Sequence, residues 1–196
     1  KIILLIVFFV TPQISFAITD IEFIVDLSGS MRKVSGGETQ IVQARKALKN
    51  SLQNIPEGTY TALRVYGHRI EQTNKGESCK DTELVTPFAP GNREAISLKI
   101  DTLEPKGYTP IAYSLEQSRN DFSVAREAEK VIILLSDGEE TCDGDPIAVL
   151  KKLKEEGFKV VVHTIGFNVD ENTRKQLEDI ANYTEGKYFD AQGASV

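Results

Sequence analysis

The chain has 196 residues, 40% of them hydrophobic and 27% charged, a make-up that suits one globular domain able to bury a core without help from metals or many disulfides. Its formal net charge of −6 excludes general affinity for nucleic acid, which rests on Lys and Arg neutralising phosphates. No basic run offsets that balance.

Taken from its start, the chain opens with Lys1 and an unbroken apolar stretch over residues 2–10, broken by Thr11-Pro12-Gln13 and followed by small residues at Ser15 and Ala17. This is the pattern of a secretory signal peptide over residues 1–17, cut after Ala17. The stretch is too short to span a bilayer, which takes about 20 apolar residues. Its removal leaves a domain of residues 18–196, exported to the periplasm or beyond, with no membrane span and no Cys after the cut to carry a lipid. The mature chain is one unit more acidic because Lys1 is lost.

Residues 21–25 form a first apolar strand, and residues 39–53 have helical spacing through Ile41, Val42, Ala44, Leu48 and Leu52. Gly36-Gly37 lacks the Lys and Ser or Thr of a phosphate loop and serves to relax the turn before that helix. A strand over 60–66, a polar excursion through Gly76 and Cys79, and a short segment over 83–86 follow. The link is too short for a helical crossover, so 83–86 reads as an antiparallel edge strand. Helices over 93–103 and 111–122, a central strand over 131–135, a helix over 146–156, a strand over 160–165, a helix over 171–183 and a last strand over 187–189 complete the alternation. Strands separated by helices imply a mostly parallel sheet covered on both faces.

Chemistry-bearing residues gather after strands. Asp26-Leu27-Ser28-Gly29-Ser30 leaves the first strand with a carboxylate and two hydroxyls on one turn, and Asp137 follows the apolar run 131–135 and Ser136. Thr109 stands before Pro110 on the loop that opens a helix. Ligands in such sheets collect outside the carboxyl ends of the strands, and Mg²⁺ takes oxygen donors of this kind at roughly 2.0–2.1 Å. Alone, each piece also reads as an ordinary turn or helix cap. Together, Asp26, Ser28, Ser30, Thr109 and Asp137 resemble the metal-ion-dependent adhesion site of von Willebrand factor type A domains. The resemblance runs from about residue 20 to 190, and Tyr66-Gly67-His68-Arg69, Pro105-Lys106-Gly107-Tyr108-Thr109-Pro110-Ile111-Ala112 and Ser136-Asp137-Gly138-Glu139-Glu140-Thr141-Cys142 resemble the bacterial secreted members.

The resemblance implies a three-layer, Rossmann-like α/β fold with one antiparallel edge strand. It also implies that the serines and Thr109 bind Mg²⁺ (Mn²⁺ or Ca²⁺ as substitutes) while the two acids bind directly or through water. The implied function is non-catalytic, with a partner protein's Asp or Glu completing the shell. The chain stops at Val196, where that family has another helix, as a piece of a longer product would. Two rival readings stand beside this one. A metal-dependent phosphoryl-transfer enzyme would need a base or cationic clamp, and a scaffold would need a closed, purely structural ion.

Cys79 and Cys142 are the only cysteines, both in polar loops, and an oxidising compartment lets such a pair close. A two-Cys zinc site lacks a His pair at ligand spacing. His163 lies within an apolar strand and reads as a hydrogen-bonded core residue, and neither it nor His68 reads as catalytic. Ser136 lacks the Gly-x-Ser-x-Gly context of a nucleophile. Glu139 and Glu140 read as solvated loop acids, and Arg64, Arg69 and Lys106 as isolated surface charges.

Overall fold

Six strands make one sheet in the order β5-β4-β1-β6-β7-β8. The computed structural model describes residues 18–122 and 126–191; the leader expected over 1–17 and the chain end at Val196 lie outside the described residues. The elements run β1 (Thr19–Asp26), a 3₁₀ turn (Gly29–Arg32), β2 (Val34–Ser35), β3 (Glu38–Thr39), α1 (Gln40–Asn54) and β4 (Tyr60–Tyr66). There follow α2 (Lys75–Ser78), β5 (Thr82–Pro90), α3 (Arg93–Asp101), α4 (Ile111–Ser118) and β6 (Glu129–Ser136), then α5 (Pro146–Glu155), β7 (Val161–Gly166), α6 (Glu171–Tyr183) and β8 (Tyr188–Asp190). Among the described residues only β5 pairs antiparallel within the large sheet, against β4, and it forms one edge. The fold is thus the three-layer, mostly parallel α/β arrangement with helices on both faces.

Period-two alternation divides the core between the two faces. Phe23, Val25, Leu63, Val65 and Leu135 bury under α1 and α3, with Ile41, Ala44, Leu48 and Leu52 supplying the apolar stripe of α1. Ile24, Ile132, Leu134 and Val162 bury under α4, α5 and α6. Asp145 and Asp170 cap α5 and α6 by accepting from the Ala148 and Thr173 N–H groups.

Several expectations shift in detail. Gly36 and Gly37 do more than relax a turn: both have positive φ, and they join β2 to β3 as a two-residue hairpin loop. The excursion after β4 holds the short helix α2, and β5 extends through Pro90, with its prolines tolerated on an edge strand. Helix α4 ends at Ser118, short of 122, because Asp121 turns inward to accept 2.7 and 2.8 Å hydrogen bonds from the Arg64 guanidinium. Arg64 is therefore no surface charge. Alternation places it beside Ala62 and Tyr66 on the inner face of β4, 6% exposed, with Nε also 3.5 Å from Glu22. Burial, with the Asp121 carboxylate alongside, pushes the Glu22 carboxyl well above the usual range. His163 is hydrogen-bonded but only half-buried. Val162 and Thr164 face the three-helix side, so His163 points to the other, accepting at Nδ1 from the Lys187 N–H at 3.1 Å.

Cys79 and Cys142 form a disulfide, with Cα atoms 5.3 Å apart and a sequence separation of 63. It ties the end of α2 to the loop after β6.

Two outcomes follow from these contacts. Arg64→Ala strands the buried Asp121 carboxylate and should cost about 3 kcal/mol, read as a lowered urea midpoint with an unchanged slope; an unmoved midpoint would show that Asp121 re-solvates freely. Replacing both cysteines by Ser should cost up to about 4 kcal/mol through release of a long loop. Intact mass of the chain isolated without reductant should be lighter than the dithiol by the two thiol hydrogens, and finding two alkylatable thiols would contradict the bridge.

Candidate metal centre

Three loops meet at the carboxyl end of the sheet because β1 and β6 are neighbours, paired in register from Thr19↔Glu129 to Val25↔Leu135. The turn after β1 is fastened first. Gly29 N–H donates to Gly107 O at 2.9 Å, and Lys106 N–H points at both Leu27 O and Gly67 O at 2.9 Å. Gly67 sits at φ +71, and a Cβ there would come within 2.8 Å of Tyr108 O; at Gly107 a Cβ would meet Ile70 O at 2.6 Å. Close backbone stacking thus explains why both motifs carry glycine.

Asp26 is fully buried. Its Oδ1 accepts from the Ser28 N–H at 2.7 Å and its Oδ2 from the Ser136 hydroxyl at 2.6 Å. Ser136 in turn lies 3.3 Å from the Tyr66 hydroxyl and accepts from the Gly138 N–H at 3.2 Å. Tyr66 is directly opposite Asp26 in the register, and Ser136 follows Leu135, the partner of Val25. The two strands flanking β1 thus each place a hydroxyl beside Asp26. Neither residue stands out as a site residue in the sequence, although a hydroxyl at the last position of each neighbouring strand is a readable signal.

Ser28 and Ser30 hydroxyls lie 2.9 Å apart, and Ser30 donates to Asp137 Oδ1 at 2.7 Å. Asp137 Oδ2 is buried without a hydrogen-bond partner among the described residues. A Cβ built on Gly138 would stand 3.8 Å from Ser30 Oγ and 3.9 Å from Thr109 Oγ1, so those two hydroxyls bracket one point beside Asp137. Thr109 is held by reciprocal bonds with Thr141: its N–H donates to Thr141 Oγ1 at 2.8 Å, and Thr141 N–H returns to Thr109 O at 3.1 Å. The structure therefore brings all five sequence-selected residues to one crevice.

Its electrostatics are strained. Burial and then the charge of Asp26 push the Asp137 carboxyl up to about 7, against the pull of Ser30 and Lys33. Burial likewise raises Asp26, and burial with the adjacent Asp26 raises the Tyr66 hydroxyl well above its ordinary value. A cation among these oxygens would relieve that repulsion. Among the described residues no three His, Cys, Asp or Glu side chains are grouped so that they could hold a metal ion, so an ion here would depend on hydroxyls. Two carboxylates and three hydroxyls form an all-oxygen, hard donor set, which fits Mg²⁺ or Mn²⁺ and disfavours soft metals.

Neighbouring groups depart from expectation. Glu139 is exposed, but Glu140 is not a solvated acid: its carboxylate accepts from the Ala112 and Cys142 N–H groups, both at 2.7 Å, and so joins the third loop to the start of α4. His68 is buried against Glu83 at 3.2 Å and Asp81 at 3.7 Å, and burial lowers its pKa. Arg69 pairs with Asp81 at 2.7 Å and Glu83 at 3.0 Å, which makes it part of the same structural knot.

The geometry agrees with the comparisons. The family model of the von Willebrand factor type A domain matches residues 20–195. The uncharacterized protein YwmD of Bacillus subtilis is 34% identical over 179 residues, which cover 90% of this chain and 80% of that protein. Among solved structures, the pilus adhesin SpaC of Lactobacillus rhamnosus GG has a TM-score of 0.70 at 18% identity, over 89% of this chain and 28% of that one. Proximal thread matrix protein 1 of the mussel byssus, solved with a zinc-occupied MIDAS motif, has a TM-score of 0.65 at 22% identity, over 89% and 42% respectively. Sheet order, loop convergence and sequence match together make this chain a member of the von Willebrand factor type A domain family.

Proposed function

We propose that this is an exported, non-catalytic protein-binding module that holds Mg²⁺, with Mn²⁺ or Ca²⁺ as substitutes, among Asp26, Ser28, Ser30, Thr109 and Asp137. The ion serves as the contact point for an Asp or Glu of a partner protein. Asp137 Oδ2, buried and without a partner beside two bracketing hydroxyls, is the observation that carries this reading. A cation held there would supply an electrophilic position for an anionic oxygen, because Ser28, Ser30 and Thr109 are neutral donors.

The remaining roles belong to the chain. Asp26 and Asp137 hold the formal charge, Ser136 and Tyr66 orient Asp26, and Glu140 and Thr141 hold the loops that carry Thr109 and Asp137. The adhesin name of one structural relative and the zinc-occupied site of another support adhesion through a metal. Neither histidine offers the phosphoryl-transfer rival a base at the loops, since His68 is engaged by Asp81 and Glu83 and His163 sits on β7. Export accords with the disulfide and with the absence of any membrane-crossing helix among the described residues. We assign residues 1–17 as the leader and 18–196 as the domain.

Calorimetric titration with Mg²⁺ tests the assignment. Asp26→Ala should reduce affinity by about a hundredfold or more while leaving a folded domain by circular dichroism, and Ser136→Ala, which only orients a ligand, by about tenfold. Undiminished Mg²⁺ affinity in Asp26→Ala would sink the assignment.

A further inference from the structure

A second feature adjoins the metal loops and shares their walls. A cleft of about 360 Å³ is lined by Gly29, Arg32, Glu71, Gln72, Thr73 and Lys106. Gly29 stands between the two serines of the metal loop, and Lys106 stands three residues before Thr109. One side of the cleft is therefore the backbone of the metal centre itself.

Cations face this cleft in an otherwise acidic chain. Arg32 donates from Nε to Pro105 O at 2.8 Å, which aims its guanidinium across the cleft, and its only acidic neighbour is Glu71 at 3.8 Å among the described residues. Both of those side chains are more than half exposed, at 56% and 60%, so the pair contributes little in water and yields readily to a better-placed anion. Lys106 has no ion pair among the described residues, although it is only partly exposed. Lys33, exposed nearby, adds its field at Asp137. Arg69, by contrast, is met by Asp81 and Glu83, and Lys75 by Asp143.

The opposite wall is held in place. Gln72 donates to Gly107 O at 3.0 Å, Ser78 Oγ bonds Ile70 O and the Tyr108 N–H, Asp81 accepts from the Arg69 and Ile70 N–H groups, and the disulfide closes the segment behind them. A cleft whose walls are already ordered loses little entropy on filling.

We infer that the Arg32–Lys106 cleft is a second anchoring subsite for an acidic peptide segment, which places one carboxylate on the metal and another, a few residues away, between Arg32 and Lys106. This rests on the metal-dependent reading above and specifies its partner: a segment bearing two acids at a fixed spacing, rather than any exposed Asp or Glu. Glu71 acts as the stand-in that the second carboxylate displaces. Net negative charge over the rest of the surface repels acidic chains, so only a segment matching both cations is retained.

A randomised peptide library, panned against the folded domain in Mg²⁺ and eluted with EDTA, reads this directly, with Mg²⁺ calorimetry on the same protein run alongside. The EDTA-released peptides should carry two acids at one preferred spacing. A synthetic peptide of that sequence should lose about tenfold in affinity on Arg32→Ala/Lys106→Ala, the scale of a charge-assisted contact, while Mg²⁺ affinity is not reduced. EDTA-released peptides with one acid, or a two-acid preference that persists in the double variant, would overturn the cleft and leave the metal reading standing. Absence of Mg²⁺ binding, or an EDTA eluate without acidic peptides, would overturn both.

Discussion

A carboxylate with no exposure to water sits at the end of the sheet's central strand pair, and the site is arranged around it. Asp26 is tolerated there because Ser28 and Ser136 donate to its two oxygens and the Tyr66 hydroxyl completes the group around Ser136. Burying a charge without such partners is prohibitive. Parallel pairing of β1 with β4 and β6 supplies them, since it ends all three strands at the same level. The second acid, Asp137, follows Ser136 directly and so arrives close enough for the two charges to repel. That repulsion is what a dication would relieve.

From this point outward, a set of loop hydrogen bonds keeps three turns together. Gly67, Gly107 and the turn at residues 27–29 stack backbone on backbone, Thr109 and Thr141 bond each other, and Glu140 bridges the third loop to α4. The disulfide extends the same pinning to the segment that walls the neighbouring cleft. Ligands held this way need little reorganisation to accept an ion, which suits recognition by a site already shaped for its target. The buried Arg64, Asp121 and Glu22 group lies on the same side of the sheet, under α4, and trims the C-terminal end of that helix.

Much of this was legible in the sequence because buried parallel strands announce themselves as apolar runs, and the site residues follow those runs at once. The strands at β1, β4 and β6 and the helices α1, α5 and α6 agree with hydrophobic spacing to within a residue or two. What escaped was set by tertiary partners. Arg64 looks like any charged residue until alternation and Asp121 bury it, and Glu140 looks solvated until the N–H groups of α4 are seen to claim it. Ser136 and Tyr66 needed strand order: once β1 is known to lie between β4 and β6, their hydroxyls must flank Asp26. His163 misled because its run of apolar neighbours hides the fact that its own face of β7 is thinly covered.

The central claim is that five oxygens from three loops form one divalent-cation site. A crystal of the domain grown with Mn²⁺, with diffraction recorded at the manganese absorption edge, tests it without reference to any partner. The account predicts one strong anomalous peak in the crevice bounded by Ser28, Ser30, Thr109 and Asp137, with the hydroxyl and carboxylate oxygens at about 2.1 Å, the short octahedral range of such ions, and Asp26 bound directly or through water. A folded domain with no peak there, or with manganese held by other residues, would contradict it.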